Sequence, residues 1–311
     1  LSEKPEISIV IPAYNEEGNI SIIINQLCDV LQNTNSFEII FVNDGSADNT
    51  LETIKNASKQ DSRIHYISFS KNFGHQAALK AGIDYAQGSC VISMDADLQH
   101  PPSLIPEMIK HWNDGYDVVY TQRLEDKGHS IFKKLTSKCF YYLLQKMSDV
   151  PIEEGTADFR LLDKKVTEII KQTNDPFLFI RGLVPWMGFR QKKLIYHPNE
   201  RHSGTTKYTF NKMAAFAING ITGYSIKPLR FATFLGVLIS LFAFVYGIYA
   251  IAIFFVSAKV ISGWASLLTS VLFIGGIQLI ILGIIGEYIG KIYIQLKNRP
   301  FYIIKESSIN K

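Results

Sequence analysis

Two long stretches without a single charged residue, 231–257 and 264–286, set the strongest limit on what this chain can fold into. As a helix, residues 231–256 would be about 39 Å long. Residues 264–285 are only slightly shorter, so each can cross an apolar bilayer core of roughly 30 Å. Buried helices of that length in soluble proteins rarely lack a charge, so the sequence predicts two transmembrane helices. Within twenty residues of their outer ends lie Lys212, Lys227, Arg230, Lys291, Lys297, Arg299 and Lys305, while the connecting loop has only Lys259. That asymmetry predicts an inner-membrane, multi-pass protein with both termini and the large domain in the cytoplasm. Just upstream, Met213, Phe216, Ala217, Ile221 and Tyr224 recur at helical spacing, flanked by Lys207, Lys212, Lys227 and Arg230. They predict an amphipathic helix lying in the headgroup interface. The start, LSEKPEISIV, has no basic segment followed by an apolar core, so no signal peptide is expected.

The chain has 311 residues, and 32 Lys+Arg against 28 Asp+Glu give a net charge of +4. That surplus is too small to argue for a nucleic-acid partner. Hydrophobic residues make up 47%, which excludes a disordered or collagen-like chain. Cys28, Cys90 and Cys139 are odd in number and lack any CxxC spacing. They read as small buried apolar residues in a reducing compartment, not as a disulfide framework or zinc site.

The first 125 residues alternate between short β-type runs and helix-length stretches. Runs at 7–11, 38–42, 66–69, 90–94 and 118–121 read as strands; 19–32, 48–60, 74–87 and 102–113 read as helices, with Asp48 and Pro102 as start residues. Such alternation predicts a parallel sheet covered on both faces. Ligands bind such sheets at the carboxyl ends of the strands. Here those ends carry Tyr14-Asn15-Glu16, Asn43-Asp44-Gly45-Ser46, Lys71-Asn72 and Asp95-Ala96-Asp97. No GxGxxG or Walker A pattern follows a strand, so a dinucleotide or P-loop site is not supported.

Asp95 and Asp97, two carboxylates one residue apart at a strand end, suit a hard divalent cation that completes its shell with water and substrate phosphates. A D-x-D alone is weak. Asp44, Glu16 and Gln99 strengthen it by lining the same crevice with acceptors, and Arg123 ends the fifth strand with the opposite charge. His75, His100, His129 and His202 lack an i, i+4 pair or a facing carboxylate set and are taken as non-ligands.

The segments SIVIPAYNEEGNI, VNDGSADNT, KNFGHQAALKAG, SMDADLQHPP and DFRLLD together resemble the family 2 glycosyltransferases of GT-A fold. The similarity runs over about residues 5–210. It is greatest to the branch that transfers a sugar to a polyprenyl phosphate, which includes dolichol-phosphate mannose synthases and bacterial polyprenyl-phosphate glucosyltransferases. The two-span tail resembles the bacterial glucosyltransferases in particular.

The resemblance implies a Rossmann-like mixed α/β sheet with helices on both faces in residues 1–206, the juxtamembrane helix in 207–230, two transmembrane helices in 231–290 and a cytoplasmic tail in 291–311. It implies that Pro12, Tyr14, Glu16, Asp44 and Lys71 meet the nucleotide-sugar. Asp95 and Asp97, with Gln99, would hold Mg²⁺ or Mn²⁺, Asp95 also meeting the ribose. Arg123 would touch the donor diphosphate or acceptor phosphate. Asp158 and Arg160 would lie near sugar and acceptor, Asp158 as base or orienting group. Arg201, Ser203 and Lys207 would take the acceptor phosphate.

The activity so implied is metal-dependent, inverting transfer of a hexose, glucose from UDP-glucose first among the donors, to polyprenyl phosphate in the bilayer. GDP-mannose with a dolichol-type lipid is the rival donor pair. A processive synthase is disfavoured because no Q-x-x-R-W segment and no further spans occur. A non-catalytic nucleotide-sugar binder is disfavoured because every metal and phosphate position is filled. Gly286 and Gly290 form a G-x-x-x-G that allows a homo-oligomer through the spans.

Overall fold

The computed structural model describes residues 5–32, 36–124, 155–197, 222, 225–257 and 263–309. The chain divides into two compact units, one holding a mixed sheet and the C-terminal segment, the other the long apolar helices.

In the first unit, β1 (Ile7–Ala13), β2 (Phe37–Asn43), β3 (Ile64–Phe69), β4 (Cys90–Ser93) and β5 (Val118–Arg123) stand where the apolar runs predict them. Between them run α1 (Glu17–Val30), α2 (Thr50–Gln60), α3 (His75–Tyr85) and α4 (Ile105–Asn113). Asp48 sits just ahead of α2 and accepts from the Thr50 backbone N–H, as an acid at a helix start can. Pro102 opens a 3₁₀ turn that leads into α4. After β5 come β6 (Thr156–Asp163), α5 (Lys164–Gln172), α6 (Ile180–Trp186) and β7 (Gln191–Tyr196), and β8 (Ile304–Ser307) closes the order.

The eight strands line up as β7-β5-β6-β4-β1-β2-β3-β8. The five strands of the first 125 residues run parallel as expected, and the whole sheet is mixed as the resemblance implies, because β6 runs antiparallel to β4 and β5, and β8 antiparallel to β3. Side chains alternate across the sheet with period two. Ile7, Ile9 and Ile11 of β1 join Ile20, Ile23 and Leu27 of α1 in one apolar layer. Val10 turns to the other layer with Leu79 and Ile83 of α3 and Val166 and Ile170 of α5. Cys90 is buried as expected, Cys28 is only half-buried, and Cys139 lies outside the described residues.

The segment expected to be a plain tail is built into this unit. Ser70 N donates to Ile303 O and Ser308 N to Tyr66 O, Lys55 pairs with Glu306 at 2.9 Å, and the Tyr302 ring stacks on Phe69 at 5.2 Å. The Tyr302 hydroxyl donates to Asp84 Oδ2 at 2.8 Å.

In the second unit, α7 (Lys227–Ser257) and α8 (Trp264–Leu296) are each long and apolar enough to cross a membrane. Phe234, Leu241, Phe242, Leu272, Leu279 and Leu282 all lie open. An exposed apolar surface of this extent on two helices marks a membrane or protein contact. Of the expected interfacial helix, 207–230, only residues 222 and 225–230 are described, and Lys227 to Arg230 belong to the first turn of α7.

Candidate active site

The carboxyl ends of β1, β2, β3, β4 and β5 lie along one edge of the sheet, which brings their polar clusters together. Because β6 is antiparallel, it is its beginning that reaches the same edge. Ser93 pairs with Arg160 at the end of the β4–β6 register, and beyond it Asp95 and Asp158 come to the two nitrogens of His75. The Ser93 hydroxyl, donating to the Asp158 carbonyl at 2.5 Å, fixes that junction.

Loops after β1 and β2 are laced to each other. Asn15 N donates to Ser46 Oγ at 3.0 Å, Ala47 N to Asn15 Oδ1 at 2.9 Å, and Glu16 N to Thr50 Oγ1 at 2.9 Å. Tyr14 is exposed beside them and Pro12 lies within β1, paired with Val42. Glu16 accepts from Asn19 Nδ2 at 2.6 Å. Asp44 is buried, and its two oxygens accept from the backbone N–H groups of Phe73 and Gly74 at 2.7 and 3.0 Å. Burial raises its pKa, against the pull of those donors. Its carboxylate therefore anchors the loop that carries Lys71, whose ammonium lies 5.1 Å from the Phe73 ring.

Gly45 makes the closeness of these loops possible. It sits at φ +68°, and a Cβ there would stand 2.5 Å from the Lys71 carbonyl carbon and 2.6 Å from Asn72 N. Those are backbone atoms that cannot turn aside. Gly45→Ala should destabilise the domain by about 2–4 kcal/mol, from strained φ and overpacking together. Thermal unfolding checks it; an unchanged Tm would mean the loops part freely.

The turn after β4 is tight. Gln99 N donates to Asp97 Oδ1 at 3.1 Å, and Leu98 takes φ +63°, a conformation rare for a branched side chain. Arg123 Nη1 donates to Gln99 Oε1 at 3.3 Å, so Arg123 and Gln99 do meet. His100 is buried, stacked on Phe159 at 5.2 Å, and its Nδ1 accepts from Asp95 N at 3.0 Å. That bond leaves the proton on Nε2, which stands 3.7 Å from Asp95 Oδ2.

Asp95 and Asp158 are linked by a side chain set aside as a non-ligand. His75 Nε2 is 2.7 Å from Asp95 Oδ1, and its Nδ1 is 3.7 Å from Asp158 Oδ2. Burial lowers its pKa, yet Asp95 and Asp158 outweigh that and lift it to about 9. Asp95, against the cost of burial, is held well below the usual carboxylate range by His75 and His100. Arg181, on α6, grips Asp158 with Nε at 2.8 Å and Nη2 at 2.7 Å. Arg160 is fully buried; its Nη2 donates to Ala157 O at 2.9 Å, and its Nε is buried without a partner.

Among the described residues no three His, Cys, Asp or Glu side chains converge as a metal cluster. Two carboxylates with oxygen donors only still fit a hard cation that draws its other ligands from water and phosphate. Arg201, Ser203, Lys207, His129 and His202 lie outside the described residues.

The family model for Glycosyl transferase family 2 matches residues 8–170, just over half of the chain. This chain belongs to glycosyl transferase family 2. A second family model, the GtrB C-terminal hairpin, matches residues 227–292, the two apolar helices. An uncharacterized glycosyltransferase, YkcC, of Bacillus subtilis (strain 168) is 45% identical over 308 residues, 99% of this chain and 95% of that protein. The bactoprenol glucosyl transferase of Shigella phage SfII is 40% identical over 303 residues, 97% of this chain and 98% of that protein. Among solved structures, the mannosyltransferase PcManGT from Pyrobaculum calidifontis, in complex with GDP-Man and Mn²⁺, is 14% identical. It covers 93% of this chain and 88% of that one at TM-score 0.46. The family match and the mixed order of the sheet bear out the expected family and mixed α/β GT-A fold, and the chain is a glycosyltransferase.

Proposed function

We propose that this glycosyltransferase is a membrane-spanning, inverting enzyme that moves glucose from UDP-glucose to a polyprenyl phosphate. The observation that carries this reading is the match to bactoprenol glucosyl transferases along almost the whole chain, hairpin included. The acceptor, a lipid phosphate, is already ionised near neutral pH, so a strong general base is not needed. Asp95 and Asp97 would hold Mg²⁺ or Mn²⁺. When bound, that cation supplies Lewis-acid stabilisation of the charge developing on the departing nucleoside diphosphate. The linked loops after β1 and β2, with Tyr14, Glu16 and Lys71, would receive the nucleotide. Arg123 adds a fixed positive charge beside the same edge, suited to phosphate. A panel of labelled UDP-glucose, other UDP-hexoses and GDP-mannose, each with polyprenyl phosphate, should label the lipid from UDP-glucose; label from GDP-mannose alone would replace the donor.

The order of the sheet supports the topology. β7 precedes the helix pair, β8 follows it, and both are strands of one sheet. A chain that leaves and re-enters one domain must cross the bilayer an even number of times. With the basic residues at the outer ends, that domain lies in the cytoplasm. A Cys placed in the 259–263 loop should react with an impermeant thiol reagent from outside intact cells, while one at Lys305 stays protected. The opposite pattern would invert the protein.

A further inference from the structure

The carboxylate that the family resemblance sets beside the sugar is buried beneath basic side chains. Asp158 has a side chain only 2% exposed. Arg181 holds one oxygen through Nε and the other through Nη2, with Arg160 Nη2 3.6 Å from the first. Near the second stand Gln76 Nε2 at 3.5 Å and His75 Nδ1 at 3.7 Å. The groups around it are the ones that reach solvent: Arg181 is 34% exposed and His75 41%. Gln76 is itself fixed, its Oε1 accepting from Ile180 N at 3.0 Å, which ties the start of α3 to the start of α6.

We propose that Arg181 binds a phosphate group of the substrates and that Asp158 is its buried positioning partner, so that this corner of the cleft presents a cation and not a base. A guanidinium gripped by a buried carboxylate has lost its freedom beforehand, and its planar fork suits phosphate oxygens. Asp158 is also a poor proton acceptor: against the cost of burial, Arg181, His75 and Arg160 hold its pKa down to about 2. Two phosphates could be the ligand, the donor diphosphate or the acceptor monoester. The inference rests on the transfer reaction proposed above, but binding tests it independently of turnover.

Full-length protein in detergent, as wild type, Arg181→Gln, Arg181→Lys and Asp158→Asn, would be titrated calorimetrically with UDP-glucose and separately with a short-chain polyprenyl phosphate. Arg181→Gln should weaken one of the two at least tenfold and leave the other within about twofold. The affected arm names the phosphate. Arg181→Lys, which keeps the charge but loses the fork, should recover part of that loss, a rescue that a purely structural role would not give. Asp158→Asn should weaken the same ligand. Transfer assays on the same samples separate the two readings: a wild type that binds both ligands but transfers no sugar overturns the function, not the site. Unchanged binding of both ligands by Arg181→Gln would overturn the inference. So would an Asp158→Asn protein that binds normally yet transfers nothing while Arg181→Gln stays active, because Asp158 would then be the base.

Discussion

Asp97→Ala should abolish sugar transfer, by a factor of a thousand or more, and leave thermal unfolding almost unchanged. The two expectations have separate causes. Asp97 sits in a turn beyond the end of β4, outside the apolar layers, where it accepts from Gln99 N. Losing that exposed turn bond costs the fold about 1 kcal/mol. The reaction loses one of two carboxylates that would hold the cation, with charge stabilisation worth several kcal/mol at the leaving diphosphate. Turnover within tenfold of wild type would show that Asp97 is no ligand. A collapse of Tm would show that the turn is structural.

The second large effect concerns stability. Removing residues 299–311 strips Phe301, Tyr302, Ile304 and Ile309 from the second apolar layer and uncovers the edge of β3. Asp84 keeps Lys80 but loses the Tyr302 hydroxyl. Tyr302→Ala alone should cost about 3 kcal/mol, from a large aromatic truncation with a stacked partner. The full deletion approaches the roughly 5–15 kcal/mol that separates folded from unfolded domains. The truncated protein should lose its cooperative thermal transition. An unaltered Tm would mean that β8 rests on the sheet without supporting it.

The strands β1 to β5 were legible because each is an apolar run that ends abruptly in polar residues, and those polar ends form the candidate site. β6 was not, since GTADFRLLD mixes Asp158 and Arg160 with Phe159 and Leu161. Its charges are buried by pairing with residues far along the chain, a compensation invisible to local pattern. β8 is four residues of edge strand with a charged middle, and only its ladder with β3 identifies it. His75, Gln76 and Arg181 escaped for a related reason: His75 and Gln76 lie over a hundred residues before Arg181, and only the fold brings all three to Asp158. A weak signal did exist. Arg181 is the one charge inside the otherwise apolar PFLFIRGLVPWMGF, and His75 opens a helix directly after Gly74. Arg160 shows the converse, a residue expected near the acceptor whose side chain is buried inside the sheet.

In the proposed reaction the carboxylate pair at the end of β4 works through a divalent cation to put a sugar on a lipid phosphate. The most direct measurement strips the purified protein of metal, then follows labelled glucose from UDP-glucose into polyprenyl phosphate as Mg²⁺ or Mn²⁺ is added back. Labelled lipid should be absent without metal and rise to saturation with it. Transfer at full rate in the stripped protein, or none at any metal concentration, would rule out metal-dependent transfer to the lipid phosphate.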